Sequence, residues 1–187
     1  DYTHDLDGAG KVILGPNVLP GRNFIAEQLN PKDFLQYGKE LLSGTCGDNL
    51  QFVLYKSGDL YITGTGPMTD FPNSYNAPWE GYAHRIKRVI VDKDVESIGN
   101  KAFYFDPNDM WGSYSYLTEV ILGENLERIG QYAFYKCSNL KTVNFPSQLN
   151  TIDKCAFDGC QSLEAVTIPK KVTLIGGYAF RDTRALK

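Results

Sequence analysis

The sequence predicts an α/β repeat solenoid, with a parallel β-sheet on one face and short helical or 3-10 turns on the other. Three observations predict it. First, Leu117-Thr-Glu-Val-Ile-Leu122 returns 23 residues later as Leu140-Lys-Thr-Val-Asn-Phe145 and 23 later again as Leu163-Glu-Ala-Val-Thr-Ile168, and Leu186-Lys187 starts another copy. Second, each copy places an apolar residue nine positions on (Leu126, Leu149, Val172), isoleucine at twelve (Ile129, Ile152, Ile175) and Ala-Phe at sixteen and seventeen (Ala133-Phe134, Ala156-Phe157, Ala179-Phe180). Third, Pro146 and Pro169 follow the first motif and end a strand there, because proline has no N–H for a ladder. A fixed period in the twenties is the signature of stacked coils, none of which can bury its apolar side alone.

Composition narrows the function classes. The chain has 187 residues, 42% of them hydrophobic and 22% charged, as in an ordinary globular protein. A net charge of −3 gives no basic footprint, which excludes nucleic acid as the expected partner. No apolar run approaches the roughly 18 residues of a membrane-spanning helix, so membrane insertion is not expected.

Residues 1–43 do not follow the repeat and are expected to form an N-terminal extension. Asp5-Leu-Asp7-Gly-Ala-Gly10 fails as a calcium loop, since Ala9 stands at a ligand place and Pro16 at the closing glutamate. Asn30-Pro31-Lys-Asp33 starts an amphipathic helix over about 30–43. Asn30 caps it, Pro31 suits the first turn, Phe34, Tyr37, Leu41 and Leu42 follow at helical spacing, and Gly44 stops it. Residues 44–85 read as an N-terminal cap with a hairpin over 50–63: Gln51–Tyr55 and Leu60–Thr63 are aromatic and branched, and Lys56-Ser-Gly-Asp59 supplies the turn. Ala77-Pro78-Trp79 begins a helical turn, with Trp79 as a core plug.

The repeats occupy 86–187. Ile86, Val89, Val91, Val95, Ile98, Gly99 and Ala102-Phe103 already match the columns, but Ile86 to Leu117 is 31 residues, eight more than the standard interval. The excess lies in an insertion at 104–116. Within a unit, apolar residues at positions zero, three and five form a strand with its alternate face inward. Gly99, Gly130 and Gly176 let the backbone bend after the second apolar pair, and Asp153 takes that place in one unit. Ala-Phe then rides on a short helix or 3-10 segment. Cys137 and Cys160 share a column, so stacking brings them to about the strand spacing, ~5 Å. Either a disulfide or two small buried hydrophobes satisfies that spacing. No Cys-x-x-Cys pair exists, so no zinc site is expected, nor any other metal.

The pattern resembles the BspA-type leucine-rich repeat of bacterial surface and secreted proteins. The resemblance rests on Leu140-Lys-Thr-Val143-Asn-Phe145-Pro146, Leu149-Asn-Thr-Ile152 and Ala156-Phe157-Asp-Gly-Cys160 with their equivalents. It also rests on a leader from Gly44-Thr-Cys46 through Gly58-Asp-Leu60-Tyr-Ile-Thr-Gly64-Thr-Gly66 to Ala77-Pro78-Trp79. It spans about 44–187 and implies a leucine-rich-repeat solenoid, secreted or at the cell surface, that adheres to host proteins or to other cells.

No catalytic residue, cofactor or metal ligand is expected. The two histidines, His4 and His84, lie in different segments, and neither a nucleophile elbow nor a phosphate loop is present. Two surfaces are candidates for a protein or other macromolecular partner. One is the outward strand face at positions two and four: Arg88 and Ile90, Glu119 and Ile121, Thr142 and Asn144, then Ala165 and Thr167. The other is the aromatic insertion with Tyr104, Phe105, Trp111 and Tyr114, which either presents a binding loop or folds back over the coil it interrupts. A structural spacer presenting another domain is the alternative function. The last copy stops one strand into a new unit, which leads to the expectation that the native protein continues or that another chain covers this edge.

Overall fold

A computed structural model describes residues 39–73, 76–105, 114 and 116–187. Residues 30–38 of the helix expected over about 30–43, and Trp111, lie outside them. β1 (Glu40–Gly47) pairs antiparallel with β2 (Leu50–Tyr55), and β2 with β3 (Asp59–Gly64). The hairpin turn has Gly58 at φ 96°, where a side chain would be strained. Residues 40–43, read from sequence as the end of a helix, instead open β1, and the expected boundary at 43/44 falls inside that strand. The free edge of β2 offers a row of N–H and C=O groups, and pairing with it lets Leu41 and Leu42 pack against the core. This tertiary gain overrides the local helical spacing.

After β3 every pairing is parallel and joins residues one coil apart. β4 (Gly66–Pro67) starts a second sheet, and a 3-10 helix at Glu80–Arg85 leads into the repeats. Each coil then contributes a strand to each sheet: β5 (Arg88–Val91) and β6 (Val95–Ile98), β7 (Glu119–Ile121) and β8 (Arg128–Ile129), β9 (Thr142–Val143) and β10 (Thr151–Ile152), with β11 (Leu174–Ile175) last. The six-stranded sheet runs β1-β2-β3-β5-β7-β9 and the five-stranded sheet β4-β6-β8-β10-β11. Register keeps the sequence columns together: Val89, Val120 and Val143 align in one sheet, and Ile98, Ile129, Ile152 and Ile175 in the other. Ile98, Ile129 and Ile152 are fully buried, whereas Ile175 on the last coil is 49% exposed.

The Ala-Phe segments are turns, not the helix that the sequence suggested. Lys101, Tyr132, Cys155 and Tyr178 share one column and all have φ between 54° and 62°. Lys136, Gly159 and Asp182 share another, also at positive φ. These left-handed residues aim alternate N–H groups at the next coil: Phe103 to the Ala133 carbonyl (2.7 Å), Phe134 to Ala156 (2.8 Å) and Phe157 to Ala179 (2.8 Å). A helix would have kept those bonds within the coil. Between the two sheets and the turns, the phenylalanines stack face to face. Trp79–Phe103, Phe103–Phe134, Phe134–Phe157 and Phe157–Phe180 have centroids 5.3, 5.1, 5.2 and 5.5 Å apart.

The glycine column has a different cause from the bend read in the sequence. Gly99, Gly130 and Gly176 are not at positive φ; they are needed because the preceding coil passes too close. A Cβ on Gly99 would lie 1.9 Å from the Thr69 carbonyl oxygen, and one on Gly176 would lie 2.3 Å from the Lys154 nitrogen. Gly99→Ala is therefore expected to destabilise the fold by ~2 kcal/mol, since backbone must move on one side or the other. Gly81→Ala, whose Cβ meets nothing within 4 Å, should change the urea midpoint little. Equal midpoints for the two variants would contradict the close approach.

Polar side chains also link the coils. Arg128 donates from Nε to Asp153 (2.8 Å), and its terminal nitrogens donate to Asp70 (3.2 Å) and Asn100 (2.6 Å). The cysteine column is unbridged: Cys137 Sγ donates to the Phe103 carbonyl (3.3 Å) and Cys160 Sγ to that of Phe134 (3.2 Å).

Candidate partner-binding face

Parallel register places the strand-face residues in two rows on the outer side of the six-stranded sheet. Arg88 aligns with Glu119, and Glu119 with Thr142; beside that row, Ile90 aligns with Ile121. Neighbouring strands are about 4.8 Å apart, so the two isoleucines form a continuous apolar strip. Ile90 is half-buried and Ile121 is 39% exposed. Glu119 is half-buried beside them and Thr142 is exposed. Inward neighbours Val89, Val120 and Val143 fix the strands from below, so the outer residues vary without changing the core.

The register also extends the face in a direction that repeat spacing did not indicate. Asp59 aligns with Arg88 and Tyr61 with Ile90, because the hairpin continues the same sheet. Arg88 Nε donates to Asp59 Oδ1 at 2.6 Å, and Ser57 Oγ donates to the other carboxylate oxygen at 2.9 Å. The Asp59 side chain is 6% exposed and that of Arg88 37%, so the pair fixes the guanidinium at the rim of the strip. The only sequence signal for this pair was the strand alternation of the hairpin, read across to a strand 29 residues away.

Asn144 is on the face but its amide is already engaged. Its Oδ1 accepts from the Leu122 N–H (2.7 Å) and its Nδ2 donates to the Leu122 carbonyl (3.0 Å), replacing the ladder where β7 and β9 end. The insertion residues are elsewhere. Tyr104 follows the turn of its coil, half-buried, stacked on Tyr135 (5.0 Å, interplanar 10°) and edge-on to Tyr132. Phe105 packs against the core. Tyr114 is 1% exposed, with its ring edge-on to Phe103 and its hydroxyl 3.4 Å from the Ala102 carbonyl. It fills the core next to Trp79, whose Nε1 donates to the same carbonyl at 3.0 Å, and burial pushes its hydroxyl pKa well up. Tyr114 therefore has no surface to offer a partner.

The repeat spacing gave no indication of the outer side of the five-stranded sheet. Thr65, Asp94, Glu96, Asn125, Glu127 and Gln148 line an open polar groove of about 390 Å³ there. Asn125 donates to Asp94 within it (3.3 Å), and no residue of the groove is a buried unpaired group. Among the described residues no group of three or more His, Cys, Asp or Glu could hold a metal ion, and no helix is long and apolar enough to cross a membrane.

The family model for the BspA type leucine rich repeat region matches residues 107–187, in six copies. Residues 107–187 are a BspA-type leucine-rich repeat region. The repeats before residue 107, including β5 and β6, continue the same columns and the same ladders outside the match. Solved leucine-rich-repeat proteins share the fold. One from Eubacterium ventriosum is 25% identical, with a TM-score of 0.58 over 73% of this chain and 40% of that one. The T. pallidum leucine-rich repeat protein is 23% identical, with a TM-score of 0.59 over 81% of this chain and 67% of that one. The chain thus spans under half of the Eubacterium ventriosum protein. No curated protein matches it in sequence.

Proposed function

We propose that the coils stack as a solenoid, with the β2–β3 hairpin as its N-terminal cap, and that the module binds another protein through the outer face of the six-stranded sheet. The observation that carries this reading is the Ile90–Ile121 strip, open to solvent on a rigid sheet and flanked by the fixed charge of Arg88 and by Glu119. A small apolar centre with a polar rim is how compact protein interfaces are built. The module is non-enzymatic in this reading. Adhesion to host or partner proteins, from a secreted or cell-surface location, follows from the resemblance of its repeats to surface proteins.

A spacer is the second reading. It is favoured by the later part of the same face, where Thr142, Asn144, Ala165 and Thr167 are exposed and small or polar. Binding of the full chain to a panel of extracellular-matrix proteins distinguishes the two. Replacing Ile90 and Ile121 together by glutamate should weaken any such complex at least about tenfold, the effect of losing a central apolar contact. Unchanged binding by the double variant would rule out this face, and no binding by either protein would favour the spacer.

A further inference from the structure

The rim where the strands of the six-stranded sheet begin carries a row of cations, in a chain whose net charge is −3. Ladder bonds set the row. The Lys87 N–H donates to the Gly58 carbonyl (2.7 Å), the Thr118 N–H to that of Lys87 (2.9 Å) and the Lys141 N–H to that of Thr118 (2.9 Å). Lys87 and Lys141 are therefore two coils apart, about 10 Å at the spacing of neighbouring strands. Lys56 and Arg85 close the row on the hairpin side. Lys56 lies two residues before Gly58, and a Cβ on Gly58 would meet the Arg85 carbonyl oxygen at 2.6 Å and Lys87 Cγ at 2.8 Å. All four cations are exposed, and none forms an ion pair with a described residue. The carboxylates beside the row do not neutralise it. Asp59 is buried against Arg88, Glu119 is half-buried one residue past Thr118, and Glu164 stands beyond Lys141, where the run of cations stops. Tyr116, 58% exposed, stands two residues before Thr118, as Arg85 does before Lys87. Among the described residues it is the most exposed large apolar side chain before the terminal coil.

We propose that this rim binds a sulfated polysaccharide, with Lys56, Arg85, Lys87 and Lys141 on its sulfates and Tyr116 against a sugar ring. Charge complementarity selects a polyanion, because four exposed cations here face no countercharge of their own. The open form of the rim selects a linear one. A single ion pair on an exposed surface contributes little, so one small anion is not retained. A chain with an anion on each unit engages the four cations together, and each contact after the first is intramolecular. The exposed ring of Tyr116 selects sugar as the carrier of those anions: it offers an apolar face with a polar tip beside the cations, which suits a polymer of rings and charges in alternation. The proposal does not depend on the Ile90–Ile121 strip, and holds whether or not that strip binds a protein.

The test passes the full chain over immobilised heparin, and over heparin stripped of its sulfates, at about 0.15 M salt. Heparin should hold the chain and release it as salt rises, and the desulfated polymer should not retain it. Lys87→Ala with Lys141→Ala should weaken the heparin complex at least about tenfold. Tyr116→Ser should weaken it at least about threefold. Lys170→Ala with Lys171→Ala also removes two charges, from exposed sites on the terminal coil, and should change the affinity less than about twofold. Equal losses in the two double variants would mean attraction by overall charge and would overturn the proposal. So would failure to bind heparin, retention that survives desulfation, or a Tyr116→Ser variant that binds as the parent does. Equal affinity for duplex DNA, or for phosphatidylcholine vesicles containing phosphatidylserine, would also overturn it.

Discussion

Phe134→Ala is expected to destabilise the protein by ~3–5 kcal/mol, the cost of emptying a buried phenylalanine site that cannot collapse. Phe134 is fully buried in the middle of the stack, 5.1 Å from Phe103 and 5.2 Å from Phe157. Both neighbours are held by their own ladders: the Phe103 N–H donates to the Ala133 carbonyl and the Phe157 N–H to that of Ala179. The coils on either side therefore cannot close over the gap without breaking backbone bonds. The lost stacking adds to the lost burial, since offset aromatic pairs contribute ~0.5–1.5 kcal/mol beyond area. Phe180 has the same column position but is half-buried and stacked on one side only, so Phe180→Ala should cost about half as much. Urea unfolding of the two variants gives the comparison. A loss at Phe180 as large as at Phe134 would show that the stack does not act as a continuous column. A loss of this size is a large share of the ~5–15 kcal/mol of a typical domain.

The repeat was legible because its causes are periodic. Isoleucine at position twelve is required in every coil by the same neighbour, so Ile98, Ile129 and Ile152 announce a buried column by their spacing alone. What escaped detection depends on neighbours at irregular distances. The Arg88–Asp59 pair joins a repeat to the hairpin, and nothing in a 23-residue period indicates a partner 29 positions back. β1 was hidden for a related reason: Leu41 and Leu42 suit a helix by spacing, and only the free edge of β2 makes a strand the better use of them. The glycine column was recognised, but sequence alone does not separate a residue that must turn from one that must make room. The turning positions are held instead by Lys101, Tyr132, Cys155 and Tyr178, which no propensity would nominate for positive φ. Of the candidate binding residues, Ile90 and Ile121 were brought together because both are set by strand register, whereas Tyr114 was drawn inward by the space next to Phe103 and Trp79.

The buried thiols make stability fall with alkali. Burial pushes the Cys46 pKa up to about 12 from its ordinary 9.0, and burial raises those of Cys137 and Cys160 as well. Both column thiols are hydrogen-bond donors to carbonyls of the preceding coil, a role that only the protonated form can fill. In the unfolded chain each thiol ionises near pH 9, while in the folded protein each keeps its proton. Above about pH 9 the folded state thus binds more protons than the unfolded one, and stability decreases as pH rises; below about pH 9 the thiols contribute no slope. Each thiol adds up to about 1.4 kcal/mol per pH unit, so the three together give a slope of about 4 kcal/mol per unit once the unfolded thiols are fully ionised. Unfolding in urea under reducing conditions from about pH 8 to 11 measures it. The Cys137→Ala, Cys160→Ala double variant starts less stable because two small cavities replace the sulfurs, but its alkaline slope should be shallower by about 2.7 kcal/mol per unit. The slope, not the starting stability, is the informative quantity, since cavities shift the whole curve without changing proton uptake. A double variant as steep as the parent would mean that other groups bind the protons and that burial does not hold these two thiols protonated.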